Sequence, residues 1–258
     1  MQIAAHHLNP NAPMFPLDPA LIAKARPVLA ERRNLRWLIG GACSGKSTLS
    51  RALSARKDVP VYDMDEAVFG RFRFDPVRHP ATTAWFTAGN PLGWMLSLPW
   101  PDFDALYRAA NAEMLDLLAD DLAGQPDAPL LVDGGITHPS LLAQVIPAAR
   151  IVCLEAPAGF AAREWETAAN RAPMKAEILA LPDGEAMWRR FLDYDRRMTE
   201  TIGRESREWG IAVMRWEKGS NVAELSERME QLFKVDKLGI SDENGSIMEP
   251  QRGNGWRQ

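Results

Sequence analysis

Residues 37–50 read WLIGGACSGKSTLS. An apolar run ends in paired glycines, and the stretch fits G-x-x-x-x-G-K-[ST] with Gly40, Gly45, Lys46 and Ser47 in the defining places. Glycines at such spacing let successive backbone N–H groups converge on an anion that side chains would keep away. The helix that the pattern opens at Lys46 adds its positive end. Residues Gly40, Gly41, Ala42, Cys43, Ser44, Gly45, Lys46, Ser47 and Thr48 therefore read as a cradle for the phosphates of a nucleoside triphosphate, with ATP the expected nucleotide. Lys46 is suited to the β- and γ-phosphates, and the Ser47 hydroxyl to Mg²⁺.

Outside this loop the chain alternates in a regular way. Four more apolar runs have the length of buried strands: DVPVYDMD near 58–65, APLLVDGG near 128–135, ARIVCLEA near 149–156 and GIAVMRWE near 210–217. Helical stretches separate them, so the expected fold is α/β, a doubly wound, five-stranded parallel sheet with helices on both faces. Residues 1–34 read as an irregular, proline-bearing arm followed by a helix, 35–237 as the domain itself, and 238–258 as a loosely ordered tail. Residues 71–101 break the rhythm, and their Pro, Gly and aromatic content reads as an insertion or lid, with Trp85, Trp94 and Trp100 either lining a pocket or forming a small satellite core.

The bulk composition narrows the function classes. The chain has 258 residues, 25% of them charged, with a net charge of −4, which argues against a nucleic-acid or anionic-membrane binder. Two cysteines, Cys43 and Cys153, point to a reducing cytoplasm, and no signal-peptide pattern or membrane-length apolar run is visible. The guanine signature of GTPases is missing. Asp63 and Asp65, in VYDMDEAVFG, close the second strand run, where parallel strands meet a ligand crevice. Strand alternation places both carboxylates on one side. One then serves the metal shell, and the other orients or deprotonates an acceptor hydroxyl. A helix N-cap is the bland alternative for such an acid.

The phosphate loop together with YDMD resembles the shikimate kinase and gluconate kinase group of small-molecule kinases, over about residues 35–235. That resemblance implies an ATP- and Mg²⁺-dependent phosphotransferase acting on a hydroxyl of a small sugar-, cyclitol- or sugar-acid-like metabolite. It implies Mg²⁺ near Ser47 and Asp63, and the acceptor hydroxyl on Asp65. FDALYRAANAEML is similar to the helix that carries an acceptor-binding arginine, here Arg108. LLVDGGITHPSLLA resembles the glycine segment that touches the acceptor, which gives Gly134 and Gly135. NRAPMK is similar to the lid and gives Arg171 as the catalytic arginine beside the ATP phosphates, acting with Lys46 and Asp65. FLDYDRRMTETIG implies a further acceptor-binding arginine, Arg197, with Arg196 as its alternative, and WEKGSNVAEL falls where the group has its adenine-side loop. Asp133 stands where that group carries glycine, and the 71–101 insertion has no counterpart in its short members. Other readings of the same loop are a nucleoside or nucleotide kinase, or an ATPase that regulates a protein partner. His138 reads as a capping or surface residue, Cys43 as a spacer and Cys153 as buried strand.

Overall fold

A computed structural model describes residues 14–217 and 219–233. The arm up to residue 13 and the 238–258 tail lie outside the described residues. In chain order the first half runs α1 (Pro19–Glu31), β1 (Leu35–Gly40), α2 (Lys46–Lys57), β2 (Val61–Asp63), α3 (Met64–Glu66), α4 (Pro80–Thr87), α5 (Pro91–Ser97) and α6 (Trp100–Leu122). The second half runs β3 (Leu130–Asp133), α7 (Pro139–Val145), β4 (Ile151–Glu155), α8 (Phe160–Thr167), α9 (Ala172–Leu179), α10 (Gly184–Glu208), β5 (Ala212–Arg215) and α11 (Val222–Leu232).

The five strands form one parallel sheet in the order β2-β3-β1-β4-β5. Side chains alternate across it. Leu35, Trp37, Ile39, Val132, Ile151 and Cys153 face a large core shared with α1, α6, α7 and α10. Leu38, Leu131, Val152, Leu154 and Met214 face a second core built with α2 and α11. Continuous apolar strands are the consequence, because a parallel sheet covered on both sides has no wet face. All five strands lie where the apolar runs predict them, and Cys153 is buried as expected.

Several local devices carry this frame to the site. Asp18 caps α1 by accepting from the Ala20 N–H, Pro19 occupies the first turn, and Leu21, Ile22, Ala25 and Leu29 bury against the large core. Trp37 is fully buried, and its indole N–H donates to the Gly134 carbonyl over 2.9 Å. The loop after β3 is thus tied to the central strand. Glu113, buried on α6, accepts from the first amides of α4, Ala81 N at 2.9 Å and Thr82 N at 2.7 Å. A carboxylate on the positive end of α4 clamps that helix, and with it Trp85, over the sheet's edge.

The 71–101 segment, read from the sequence as an insertion or lid, is largely helical. It forms α4 and α5, each started by a proline, and ends at α6. Trp94 packs edge-on to Phe15, and Trp100 stacks on Phe103 and meets Tyr194 edge-on. Those two tryptophans form no separate core but pack against the large one. Trp85 alone of the three reaches the cavities described next.

Candidate active site

The phosphate loop has the backbone its glycines demand. Gly45 adopts φ +89°, and a Cβ on Gly40 would sit 2.3 Å from the Leu154 carbonyl oxygen. A Cβ on Gly41 would sit 2.3 Å from Thr199 Oγ1. Cys43 takes a left-handed φ of 58° at the loop's tip, which L-residues adopt at a cost. Trp216 braces the loop from behind, its indole N–H donating 2.8 Å to the Ser44 carbonyl. Lys46 folds back into the loop, with Nζ donating 2.9 Å to the Gly41 carbonyl. Burial lowers its pKa, while the Asp133 and Asp65 carboxylates pull it up.

Beside the loop, β2 and β3 end in register, Asp63 opposite Asp133. Both acids follow the sheet alternation toward the α2 side, where Ser47 sits. Asp63 behaves as the bland reading has it, because its Oδ1 caps α3 by accepting from Asp65 N at 2.9 Å and Glu66 N at 3.1 Å. Asp65 is not on the strand, as alternation predicts, but on that short helix. The two carboxylates nonetheless face one cavity, delivered by a cap and a turn rather than by strand pleat. Solvent reaches Asp65 through the cavity mouth, yet it loses enough hydration that its pKa is raised. The Asp63 charge adds to that rise, against the pull of Lys46 and Arg171.

Asp133 is the acid that sequence reasoning missed. It is buried, and loss of hydration raises its pKa against the pull of the Ser47 hydroxyl and Lys46. Its Oδ1 has no hydrogen-bond partner. The signal was present: an apolar strand run, LLV, that ends in an acid beside the phosphate-loop strand. A buried carboxylate oxygen without a donor, facing a serine hydroxyl, is an oxygen donor set suited to a hard divalent cation. Among the described residues, no cluster of three or more His, Cys, Asp or Glu forms a metal site, so such an ion would rely on the hydroxyl and on phosphate oxygens as well.

Two adjoining cavities open onto these groups. One, of about 710 Å³, runs along the phosphate loop past Ser47, Thr48, Asp63 and Asp133 to Trp165 and Arg171. The other, of about 360 Å³, goes deeper between α3, α5, α6 and α10 and is mostly apolar. Lys46, Asp65, Gly134 and Asp195 line both. Arg171, at the start of α9, stacks over Trp165 at 4.6 Å and lines the same cavity as Cys43, whose thiol its charge acts on. The predicted lid arginine therefore faces the loop. Burial raises the Cys43 thiol pKa, so it stays protonated, in keeping with a spacer.

Gly134 and Gly135 line the deeper cavity with φ of 73° and 77°. The Gly134 N–H is already spent on the Leu38 carbonyl at 3.0 Å, so it is not a free donor. The two expected acceptor-binding arginines lie elsewhere. Arg108 donates to Glu205 at 2.9 Å and to Ser140, and lines neither cavity. Arg197 pairs with Asp193 at 2.8 Å over the Trp100 ring, and Arg196 pairs with Asp193 and Glu200. The charged group that α10 sends into the cavity is instead Asp195, which falls on its apolar stripe between Phe191 and Met198. His138 stands at the N-cap position of α7, but its side chain makes no capping bond, and it is not a surface residue. It is fully buried between Asn111 and Asp104, and Asn111 Oδ1 accepts from the amides of Thr137 and His138.

No protein-family model matches the chain, and no curated protein matches it. Among solved structures it is similar to the shikimate kinase from Acinetobacter baumannii, solved in complex with shikimate. There the identity is 18% and the TM-score 0.44, over 80% of this chain and 96% of that one. It is similar also to the shikimate kinase from Aquifex aeolicus vf5, at 18% identity and a TM-score of 0.40, over 80% of this chain and 99% of that one.

Proposed function

We propose that the chain is an ATP- and Mg²⁺-dependent phosphotransferase that moves the γ-phosphoryl group to a hydroxyl of a small molecule. The observation that carries this reading is the pair of adjoining cavities sharing Lys46 and Asp65. One has the phosphate loop as its floor, and the other is a separate, largely apolar space for a second reactant. A plain nucleotide hydrolase has no need of that second space. The helices found among the described residues include none long and apolar enough to cross a membrane.

In this reading the amides of Gly41 through Lys46 hold the β- and γ-phosphates, and the Lys46 ammonium lies within the loop to meet them. Ser47 and Asp133 hold the divalent cation, with Asp63 beside them; when bound, that ion neutralises charge on the phosphate oxygens. Arg171 approaches from α9 and offsets charge on the transferring group. Asp65 orients the acceptor hydroxyl and takes its proton as the oxygen–phosphorus bond forms and the bond to the ADP oxygen breaks. Its raised pKa makes it a stronger base than an ordinary aspartate. Positioning and electrostatics then supply most of the rate.

The test is calorimetric titration with Mg²⁺ and a non-hydrolysable ATP analogue, followed by a coupled ADP assay with candidate alcohols. Lys46→Ala is expected to lower turnover roughly 10²–10³-fold. Asp133→Asn is expected to lose the increment in melting temperature that Mg²⁺ adds to bound nucleotide. Without ligand it should melt above the parent near neutral pH. The sign follows from the raised pKa: a buried acid of that kind costs stability once the pH exceeds its folded value. No heat with the parent protein, or an unchanged Mg²⁺ increment in Asp133→Asn, sinks the reading.

A further inference from the structure

The deeper cavity is specific in its charge. Its charged lining residues, among the described ones, are Lys46, Asp65 and Asp195. Lys46 is turned back onto the phosphate loop through its bond to Gly41. The basic side chains nearest in sequence are tied up in ion pairs outside, Arg108 on Glu205 and Arg197 on Asp193. What faces an incoming acceptor is therefore a pair of carboxylates in an apolar chamber. An acceptor with its own carboxylate or phosphate would meet like charge there, and no arginine lines this cavity to pair with it, at reduced dielectric.

The remaining polar groups are neutral. Asn111 is 1% exposed, and its Nδ2 has no partner; Thr199 Oγ1 is likewise buried and unpartnered, and both residues line the cavity. Tyr107 keeps its proton, its pKa pushed up to about 12 by burial and by the Asp195 and Asp65 charges. Phe69, Trp85 and Phe103 supply flat apolar walls.

We infer, on the phosphotransferase reading above, that the acceptor is a non-anionic alcohol with an aromatic or similarly apolar body, and that Asp195 selects one bearing an ammonium group. Asp65 then serves the hydroxyl and Asp195 the cation, from opposite elements, α3 and α10, across one chamber. This departs from the sugar-acid class that the sequence resemblance implies, and the departure rests on where Arg108 and Arg197 go.

A matched series on one scaffold tests it: phenylalaninol (ammonium), 3-phenylpropane-1,2-diol (neutral) and 3-phenyllactate (carboxylate). Each is titrated into full-length protein that already holds Mg²⁺ and a non-hydrolysable ATP analogue. Phenylalaninol is expected to bind roughly ten- to a hundredfold more tightly than phenyllactate, the span of one charge-assisted hydrogen bond, with the diol between them. In Asp195→Asn, shown folded by its melting curve, the advantage of phenylalaninol over the diol is expected to vanish. The nucleotide titration that precedes the series separates the two claims. Absent nucleotide heat defeats the phosphotransferase reading itself. Bound nucleotide with phenyllactate binding as well as phenylalaninol, or with none of the three binding, overturns the acceptor assignment alone. An ammonium preference that survives Asp195→Asn removes Asp195 as the selector.

Discussion

The surroundings of Asp65 act on its carboxyl in opposite directions. Burial and the Asp63 charge raise its pKa, while Lys46 and Arg171 lower it, with the rise prevailing. A base must be unprotonated, so kcat/KM is expected to fall as the pH drops through that raised value, above the usual carboxylate range. Asp63→Asn removes one raising influence and should move the acid limb to lower pH; Asp65→Asn should abolish transfer with the circular dichroism spectrum unchanged. An acid limb that stays in place in Asp63→Asn would show that Asp65 is not the group being titrated. Asp63 also caps α3, and asparagine is an equally good cap, so the substitution leaves the helix start intact.

The phosphate loop is only as good as the helix behind it. Gly41 lies against Thr199 of α10 so closely that an added methyl would overlap Oγ1 at 2.3 Å and Cγ2 at 2.9 Å. Gly41→Ala is therefore expected to displace the loop, weakening nucleotide binding at least tenfold, an effect on the order of 1–3 kcal/mol for overpacking. Thr199→Ala in the same chain removes the two offending atoms and leaves a marginal 3.0 Å contact at Cβ. Partial recovery of affinity in the double variant is expected by calorimetry. A double variant no better than Gly41→Ala would mean that backbone conformation, not the α10 contact, demands the glycine. The lid makes the same point differently: Arg171 sits at the start of α9, and Trp165 of α8 holds its guanidinium over the loop.

Across the whole molecule, the sheet separates two cores, and the site occupies the strand ends between them. The larger core includes α6, whose Leu115 and Leu118 are fully buried and line neither cavity. Leu118→Ala is expected to cost about 2–5 kcal/mol in urea unfolding, while nucleotide affinity of the folded protein holds. A loss under about 1 kcal/mol would mean that this face repacks freely around the gap. The same helix presents Tyr107, Asn111 and Met114 to the acceptor cavity one or two turns away, so stability and recognition are divided along one element.

The local chain was enough for the strands and the backbone of the phosphate loop, because each depends on neighbours in sequence, alternation and glycine dihedrals; Arg171 came from the resemblance of NRAPMK to a kinase lid. Asp133 was legible too, as an acid ending an apolar strand. Whether a side chain on a long helix faces a cavity or an ion partner depends instead on what packs against it. Arg108 turns to Glu205 on α10, Arg197 pairs along its own helix with Asp193, and Asp195 turns inward to the cavity that the fold leaves open. Which charges face the deeper cavity is thus a property of helices meeting across as many as 97 positions of chain, and no short window of sequence contains it.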